Sequence, residues 1–269
     1  MESKEKKKIK IFGISLWRIF AYFIIYSVIG FIIETIYGMI SKGMLESRQS
    51  FLYGPFCSIY GIGASVMIVC LQKFKKSHNY QFIGGFILGS IIEYLVSFLG
   101  EMLLHVKWWD YSNLPFNING RICIAFSCFW GVLAMYLIGS FNPKIDKIID
   151  KIKAKFTLRI LKIATTLTII FMLIDCIITG IAITCFQIRK IEQYNIDVDK
   201  KEIVSQMYNK IYGNDKISNF IYKYWSDKKM IMTFPNLKIE DKNGNIIYFD
   251  TMVGNVKPYY LMIYNKYNK

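Results

Sequence analysis

A stripe of ionisable side chains lies within the run 93–121, at the edge of sequence that is otherwise apolar. Glu93, Ser97, Glu101 and His105 follow one another at four-residue intervals. On a helix this spacing places them along one slowly turning face. Ionisable groups in hydrocarbon cost several kcal/mol and face a bundle interior or a wet cavity. The stripe therefore predicts a polar site inside or beside a membrane bundle.

Three interpretations fit these residue types, and one of them is catalysis. Glu101 and His105 have the i, i+4 spacing that two metal ligands could use, with Asp110 as a third. The sequence has no H-E-x-x-H, G-x-S-x-G or P-loop pattern to support catalysis. A buried ion-pair lattice, a recognition or translocation cavity, and an enzyme of lipid or cell-envelope chemistry all stay open. We therefore assign no catalytic residue, metal or cofactor.

Further charges interrupt other apolar segments. Glu34 and Asp175 each lie roughly 22 Å from the start of their helices, if these begin at the basic end of the bundle. Arg48 and Arg121 lie at the opposite end, and their guanidinium groups suit paired hydrogen bonds to carboxylates. We expect these four residues to join the stripe in one half of the membrane, with the arginines as counter-ions.

The loop after the stripe is rich in directional hydrogen-bonding groups. Tryptophan and tyrosine are common at membrane interfaces, and Asn-Gly favours a turn, so an anchor belt is one interpretation. The polar residues exceed what an anchor needs, and we expect the mouth of a binding site to include Trp109, Asp110, Tyr111, Asn117 and Asn119.

Long apolar runs must position these residues. The 269 residues are 54% hydrophobic, and about 20 apolar residues cross a bilayer. The sequence therefore predicts an all-α, polytopic transmembrane helical bundle with about five spans, near 18–40, 51–71, 82–104, 121–141 and 160–186.

The basic residues predict the orientation of these spans. Fifteen Lys and Arg fall in 1–18, 72–80 and 141–159, against four in 41–50 and 105–121. The positive-inside rule then predicts a cytoplasmic N-terminus and an extracytoplasmic C-terminal region. Much of the net charge of +15 would contact anionic lipid. Nucleic-acid binding is disfavoured, because no recognition module accompanies the charge.

The chain divides into three regions by composition. Residues 1–17 form a basic cytoplasmic arm, and 18–186 form the bundle. Residues 187–269 predict a small α+β region, with helices near 199–225 and a hairpin near 237–250 around an Asn-Gly turn.

Two helix faces have distinctive patterns. Gly85 and Gly89 form a small-xxx-small face that permits close helix approach. The link 141–159 places isoleucines such as Ile145 and Ile149 on one side, which predicts an amphipathic helix at the headgroups.

Three blocks carry a resemblance to a known family. GFIIETIYG (30–38), FLYGPFCSIYGIGA (51–64) and the run 93–123 resemble the bacterial CmpB-like ABC transporter type IV permeases. The resemblance covers roughly 10–186. Ser58 stands where the family usually has proline, and Gln49-Ser50 where it often has Arg-Gly.

The resemblance implies a permease-like component in a bacterial cell membrane. A separate ATP-binding subunit would dock on the cytoplasmic face, because the chain has no P-loop of its own. Membrane lipids are further partners, and a homo-oligomer stays open. A membrane scaffold or sensor that binds through the C-terminal region is a third alternative.

Overall fold

The computed structural model describes residues 10–104 and 107–264. Four helices are long and apolar enough to cross a membrane, namely Leu16–Lys42, His78–Leu104, Ile124–Lys155 and Leu158–Gln193, and Ser58–Phe74 is a shorter apolar helix. The all-α fold of the bundle is thereby confirmed.

The helices follow the chain in a simple order. They are α1 (Leu16–Lys42), α2 (Ser58–Leu71), α3 (His78–Leu104), α4 (Ile124–Tyr136), α5 (Asn142–Lys155), α6 (Leu158–Gln193), α7 (Lys201–Tyr212), α8 (Asp215–Tyr224), α9 (Asp227–Thr233) and α10 (Phe249–Met252). α1 packs along α2, and α3 packs along both α2 and α4. A 3₁₀ turn, Gln72–Phe74, extends α2.

The strands are short and pair antiparallel. They are β1 (Lys10–Ile11) with β2 (Ile14–Ser15), β3 (Met44–Leu45) with β8 (Leu261–Met262), β4 (Asn117–Ile118) with β5 (Ile122–Cys123), and β6 (Lys238–Glu240) with β7 (Ile246–Tyr248). The β6–β7 pair confirms the predicted hairpin, and Gly244 turns it with a φ of 82°.

The predicted second span differs from the structure. Its helix begins at Ser58, and residues 51–57 are not helical. Pro55 has no backbone N–H to donate and disfavours helix at the residue before it, and Gly54 has a φ of +79°. Hydropathy alone does not distinguish a helix from such a segment.

The predicted amphipathic link is helical, and it continues α4 through a π-helical turn at Leu137–Phe141. Ile145 and Ile149 are buried. Arg18 forms an ion pair with Asp146 of α5 at 2.8 Å, so the start of α1 and the link lie together.

The bundle therefore has two distinct ends. At one end, which we call the basic end, Gln72 donates to the carbonyl of Phe12, and Trp17 donates to Thr165. At the other, the tail end, the region after α6 packs against the 43–57 and 107–123 loops. A core cluster there joins Leu52 to α6, α9 and the β6–β7 hairpin.

Buried cations fasten the tail end to α6. Arg189 is fully buried and Lys190 is 2% exposed, and both pair with Asp227 of α9. Arg189 also donates to the carbonyl of Trp225 at 3.1 Å. Its guanidinium lies 5.2 Å from the ring centre of Tyr222, a favourable cation–π contact. We call Arg189, Lys190 and Asp227 the cationic junction.

Candidate functional site

Glu93, the first member of the predicted stripe, is buried, at 5% exposure. Its two carboxylate oxygens accept from different elements. The hydroxyl of Tyr111, in the loop after α3, donates at 2.9 Å, and the indole N–H of Trp130, on α4, donates at 3.2 Å. Both donors are neutral, so the carboxylate has hydrogen bonds without a counter-charge.

Glu34 lies near Glu93 and has the same kind of partner. Tyr60 of α2 donates to the Glu34 carboxylate at 2.5 Å, and the Tyr60 ring lies 5.7 Å from the Trp130 ring, centre to centre. Glu34 and Glu93 are within electrostatic range of each other. We call Glu34, Tyr60, Glu93, Tyr111 and Trp130 the carboxylate cluster.

Glycines allow the aromatic members of the cluster to reach the carboxylates. A Cβ at Gly30 would lie 2.3 Å from the Tyr60 side chain, and one at Gly89 would lie 2.4 Å from that of Trp130. A Cβ at Gly85 would meet Ala134 at 2.3 Å. The predicted close face of α3 therefore packs against α4 and holds Trp130 over Glu93.

The electrostatics of the cluster are unusual. Within residues 10–104 and 107–264, neither Glu34 nor Glu93 forms an ion pair with Lys, Arg or His. A buried carboxylate without a positive partner is unfavourable. Such an arrangement favours the arrival of a cation or a proton, which supplies the missing charge.

The loop between α3 and α4, where the sequence predicts the mouth of a site, is held mainly by its own hydrogen bonds. Asp110 accepts from the backbone N–H and hydroxyl of Ser112, and Asn117 donates to the carbonyls of Ser112 and Leu114. Asn119 donates to the Tyr94 hydroxyl at 2.9 Å. These residues fix the shape of the loop, as the turn interpretation expects.

The loop still encloses a small pocket, whose lining includes Ser97, Glu101, Lys107, Trp109, Asp110 and Arg121. Arg121 pairs with Glu101 at 2.6 Å, which is the predicted type of counter-ion contact. Trp109 donates to the carbonyl of Arg121 at 2.9 Å. Glu101 is therefore neutralised, unlike Glu93.

Two loop residues have shifted pKa values. Partial burial would raise the pKa of Asp110, but the hydrogen bonds from Ser112 outweigh it and hold the pKa below its usual value. Burial, together with the charge of Glu93, raises the pKa of Tyr111 above its usual range. Tyr111 is therefore a neutral hydrogen-bond donor to Glu93 at any physiological pH.

Asp175 accepts a hydrogen bond from the non-helical segment before α2. It is 1% exposed and accepts from the backbone N–H of Tyr53 at 3.1 Å. One helical turn on, Thr179 accepts from the backbone N–H of Leu52 at 2.7 Å. Non-helical backbone at membrane depth needs such internal partners. The structure therefore gives Asp175 a different neighbourhood from Glu34 and Glu93.

Arg48 pairs with Glu46, which is not among the predicted site residues. Glu46 is 4% exposed and accepts from Arg48 at 2.5 Å and from Lys42 at 2.8 Å. Arg48 also lies against Gly38 of α1. The i, i+4 spacing of Lys42 and Glu46 was a usable signal. Arg48 is thus a counter-ion at the end of the bundle, and not for a carboxylate inside it.

The catalytic alternative depends on Glu101, His105 and Asp110 lying together. His105 lies outside the described residues. Among the described residues, no group of three or more His, Cys, Asp or Glu could hold a metal. Glu101 and Asp110 each have separate local partners, Arg121 and Ser112.

Tyr60 and Trp130 were not anticipated as site residues. Each lies in an apolar run that predicts burial and nothing more specific. Their hydrogen-bonding atoms meet Glu34 and Glu93 only because of the rotation of α2 and α4, which the sequence does not specify. Both also line an apolar groove with Tyr26, Gly30, Ile33, Ala64, Leu133, Tyr136 and Phe141.

A family model matches residues 21–180, more than half of the chain, and is described as "Putative ABC-transporter type IV". The chain belongs to this family. The match includes most of α1, all of α2 to α5 and much of α6, and therefore the whole carboxylate cluster. No curated protein and no solved structure matches the chain.

Proposed function

We propose that this protein is the permease-like membrane component of an ATP-dependent transport system, and that the carboxylate cluster contacts the transported ligand. The observation that carries the proposal is a pair of carboxylates on different helices, Glu34 and Glu93, which among the described residues are bonded only to neutral donors. Intramembrane carboxylates of this kind are typical of ion and substrate pathways. Family membership supports the transport class.

The cluster lies toward the tail end of the bundle, beside the loop mouth. With the charge asymmetry of the loops, this supports a site reached from outside a bacterial cell membrane, with a cytoplasmic N-terminus. The small pocket around Trp109, Asp110 and Arg121 would be the mouth, with Asn117 and Asn119 shaping it. Asp175 would maintain the loop that borders the path.

A separate ATP-binding subunit is the partner that the family implies. We expect it at the basic end, where α5 continues α4 as one helix through the π-helical turn. A continuous helix could transmit a displacement of α5 to Trp130. Lipids would surround the bundle.

The proposal is tested with cells that express the full chain together with its native neighbours. Untargeted mass spectrometry of cells and medium compares wild type, Glu93→Gln and a strain without the chain. We expect at least one solute whose distribution depends on the chain, and we expect Glu93→Gln to resemble the strain without it. Glu202→Gln, on an exposed helix of the tail, is the matched control.

Purification supplies the second measurement. A subunit that hydrolyses ATP should co-purify with wild type and with Glu93→Gln, because Glu93 is far from the basic end. If no solute depends on the chain and no ATP-hydrolysing subunit accompanies it, the transport proposal is wrong.

A further inference from the structure

The helix α8 has an apolar face that is wider than the part it buries. Four apolar residues recur at the spacing of one helix face, namely Ile217, Phe220, Ile221 and Tyr224. Ile221 is 2% exposed and packs into the protein, whereas the other three are 45%, 49% and 47% exposed. Among the described residues, no neighbour covers the remainder of these three side chains.

The helix α6 shows how deep α8 lies relative to a membrane. α6 is long and apolar enough to cross one, and it has no basic residue between Lys162 and Arg189. This stretch rises roughly 40 Å, the thickness of a bilayer with its headgroup regions. Ile181 is the last exposed apolar residue of α6, and residues 182–191 are buried or half-buried. The turn 185–189 therefore lies at the level of the headgroups.

Both ends of α8 are tied to this turn of α6. Just before α8 begins, the hydroxyl of Tyr212 donates to the carbonyl of Cys185 at 2.8 Å. Where α8 ends, Arg189 donates to the carbonyl of Trp225 at 3.1 Å, and its guanidinium lies against the ring of Tyr222. Because α8 is about 15 Å long and the turn rises only about 6 Å, α8 runs mainly across α6, along the headgroup layer.

Basic side chains adjoin the exposed face of α8. Lys216 and Lys223 are both exposed, and in the described part of the chain neither forms an ion pair. The ammonium group of Lys223 lies 5.0 Å from the ring centre of Tyr224. Asp215, the acidic residue of α8, is in its first turn, where a negative charge complements the helix dipole.

This combination of depth, direction and charge identifies what covers the face. An amphipathic helix with apolar and aromatic residues on one side and lysines beside them is typical of membrane interfaces. A soluble protein partner at this depth would have to displace the headgroups that already surround the bundle. The lysines complement the negative charge of anionic lipids.

We propose that α8 is an interfacial anchor that binds anionic lipid in the leaflet at the tail end of the bundle. Ile217, Phe220 and Tyr224 enter the boundary between the headgroups and the acyl chains, and Lys216 and Lys223 bind the headgroups. The cationic junction then holds the tail to α6, while α8 holds it to the membrane surface. The inference is independent of which solute the protein transports.

The test uses the purified full chain in nanodiscs that hold one copy each, so that no second copy can cover α8. The probe is phosphatidylglycerol with a photoreactive diazirine near the top of one acyl chain. After illumination, mass spectrometry with fragmentation locates the labels. We expect labels at 217–224 of α8, and a loss of labelling to the background level at 202–207 of α7.

The α7 segment is a suitable internal control. Ile203 is as exposed as the residues of the α8 face, at 51%. Ser205, two residues on, donates to Glu192, which lies about 10 Å farther along α6 than Cys185 does. An exposed apolar residue at that height should contact water and not lipid.

The apolar part of the anchor is tested by substitution. Phe220→Ser should lower the labelling of α8 about fivefold, as expected when the exposed half of a phenylalanine no longer gains from burial. Ile217→Ser repeats the test at a second position, because Phe220 also contacts Trp225. Ile203→Ser is the control and should leave the labelling of α8 unchanged. A thermal melt of each variant confirms folding.

The basic part of the anchor is tested with a second probe, phosphatidylcholine with the same diazirine. We expect the wild type to be labelled more by phosphatidylglycerol, and Lys216→Gln with Lys223→Gln to reduce this preference about fivefold per lysine. Lys200→Gln, at an exposed position before α7, should leave the preference unchanged.

Three results would overturn the inference. Labelling of α8 no higher than that of α7 would show that the face contacts water or protein. Labelling of α8 that both Phe220→Ser and Ile217→Ser leave unchanged would show that the face does not hold the helix at the membrane. Equal labelling by the two lipids would remove the binding of anionic headgroups. None of these measurements needs ATP or a transported solute, so their outcome is separate from that of the transport test.

Discussion

The carboxylate cluster and the cationic junction both bury ionisable groups, yet they satisfy them in opposite ways. At the junction, Arg189 and Lys190 have a carboxylate partner in Asp227, and Arg189 also has a carbonyl and aromatic faces. In the cluster, Glu34 and Glu93 have only neutral donors within the part of the chain that the structure describes. The difference teaches that buried charge can be satisfied by an opposite charge or by neutral donors alone. The junction fastens the tail to α6, and we propose that the cluster keeps its charge for a ligand.

The strongest test of this comparison removes the anion of the junction. Asp227→Asn leaves two buried cations with no ionic partner, so we expect the free energy of opening of the tail to fall by about 3 kcal/mol or more. Pulse proteolysis of the purified chain measures this free energy. Asp199→Asn, at an exposed position before α7, is the control. A loss below about 1 kcal/mol would mean that the junction contributes little to stability.

The corresponding change in the cluster should have little effect on stability. Glu93→Gln removes an uncompensated charge and keeps an oxygen that accepts from Tyr111. We therefore expect the free energy of unfolding to change by less than about 1 kcal/mol, or to rise. Thermal unfolding in the same detergent as Asp227→Asn measures it. Destabilisation as large as that of Asp227→Asn would make Glu93 a structural residue and remove the contrast.

A smaller effect is expected from displacing one donor of the cluster. Gly30→Ala sets a Cβ against Tyr60, which should cost about 1–3 kcal/mol through overpacking and weaken the bond to Glu34. Thermal unfolding measures the loss. Gly139→Ala is the control, because a Cβ there meets nothing within 4 Å. Equal melting temperatures for the two variants would contradict the packing argument.

The smallest effect concerns a carboxylate that is neither buried nor ionically paired. Hydrogen bonds from Asn245 and Asn243 lower the pKa of Asp241 in the hairpin turn. Since this pKa is lower in the folded state, the stabilisation is present above the unfolded value near 4 and is lost as pH falls through the folded value.

Hydrogen exchange of the 238–248 peptide, compared at each pH between wild type and Asp241→Asn, measures this effect. We expect the wild type to be better protected at neutral pH and the difference to vanish in acid. A difference that persists in acid would mean that the carboxylate charge is not its cause.

The sequence predicted what depends on local pattern. Runs of about 20 apolar residues predict the long helices, Gly85 and Gly89 predict the close face of α3, and Asn243-Gly244 predicts the hairpin turn. Each of these signals is contained within one element, so no neighbour is needed to interpret it.

What the sequence did not predict depends on how elements are rotated against one another. Tyr60 and Trp130 became site residues because their polar atoms meet carboxylates of other helices. Asp175 resembled Glu34 in sequence, since both are lone carboxylates in apolar runs. Only the non-helical backbone at Leu52 and Tyr53 distinguishes them, and hydropathy does not reveal it.

The antiparallel pairing of β3 with β8 has a consequence for the order in which the protein matures. The residues directly after β8 add to this pairing. The hydroxyl of Tyr264 donates to the carbonyl of Ile40, a residue 224 positions earlier, and the backbone N–H of Ile263 donates to the carbonyl of Gly43. The ribosome makes α1 and α2 long before it makes β8. Contacts so distant in sequence form late. The α1–α2 connection must therefore wait, incomplete, while the eight further helices α3 to α10 are synthesised, and its completion requires that β8 has reached the same end of the bundle as β3.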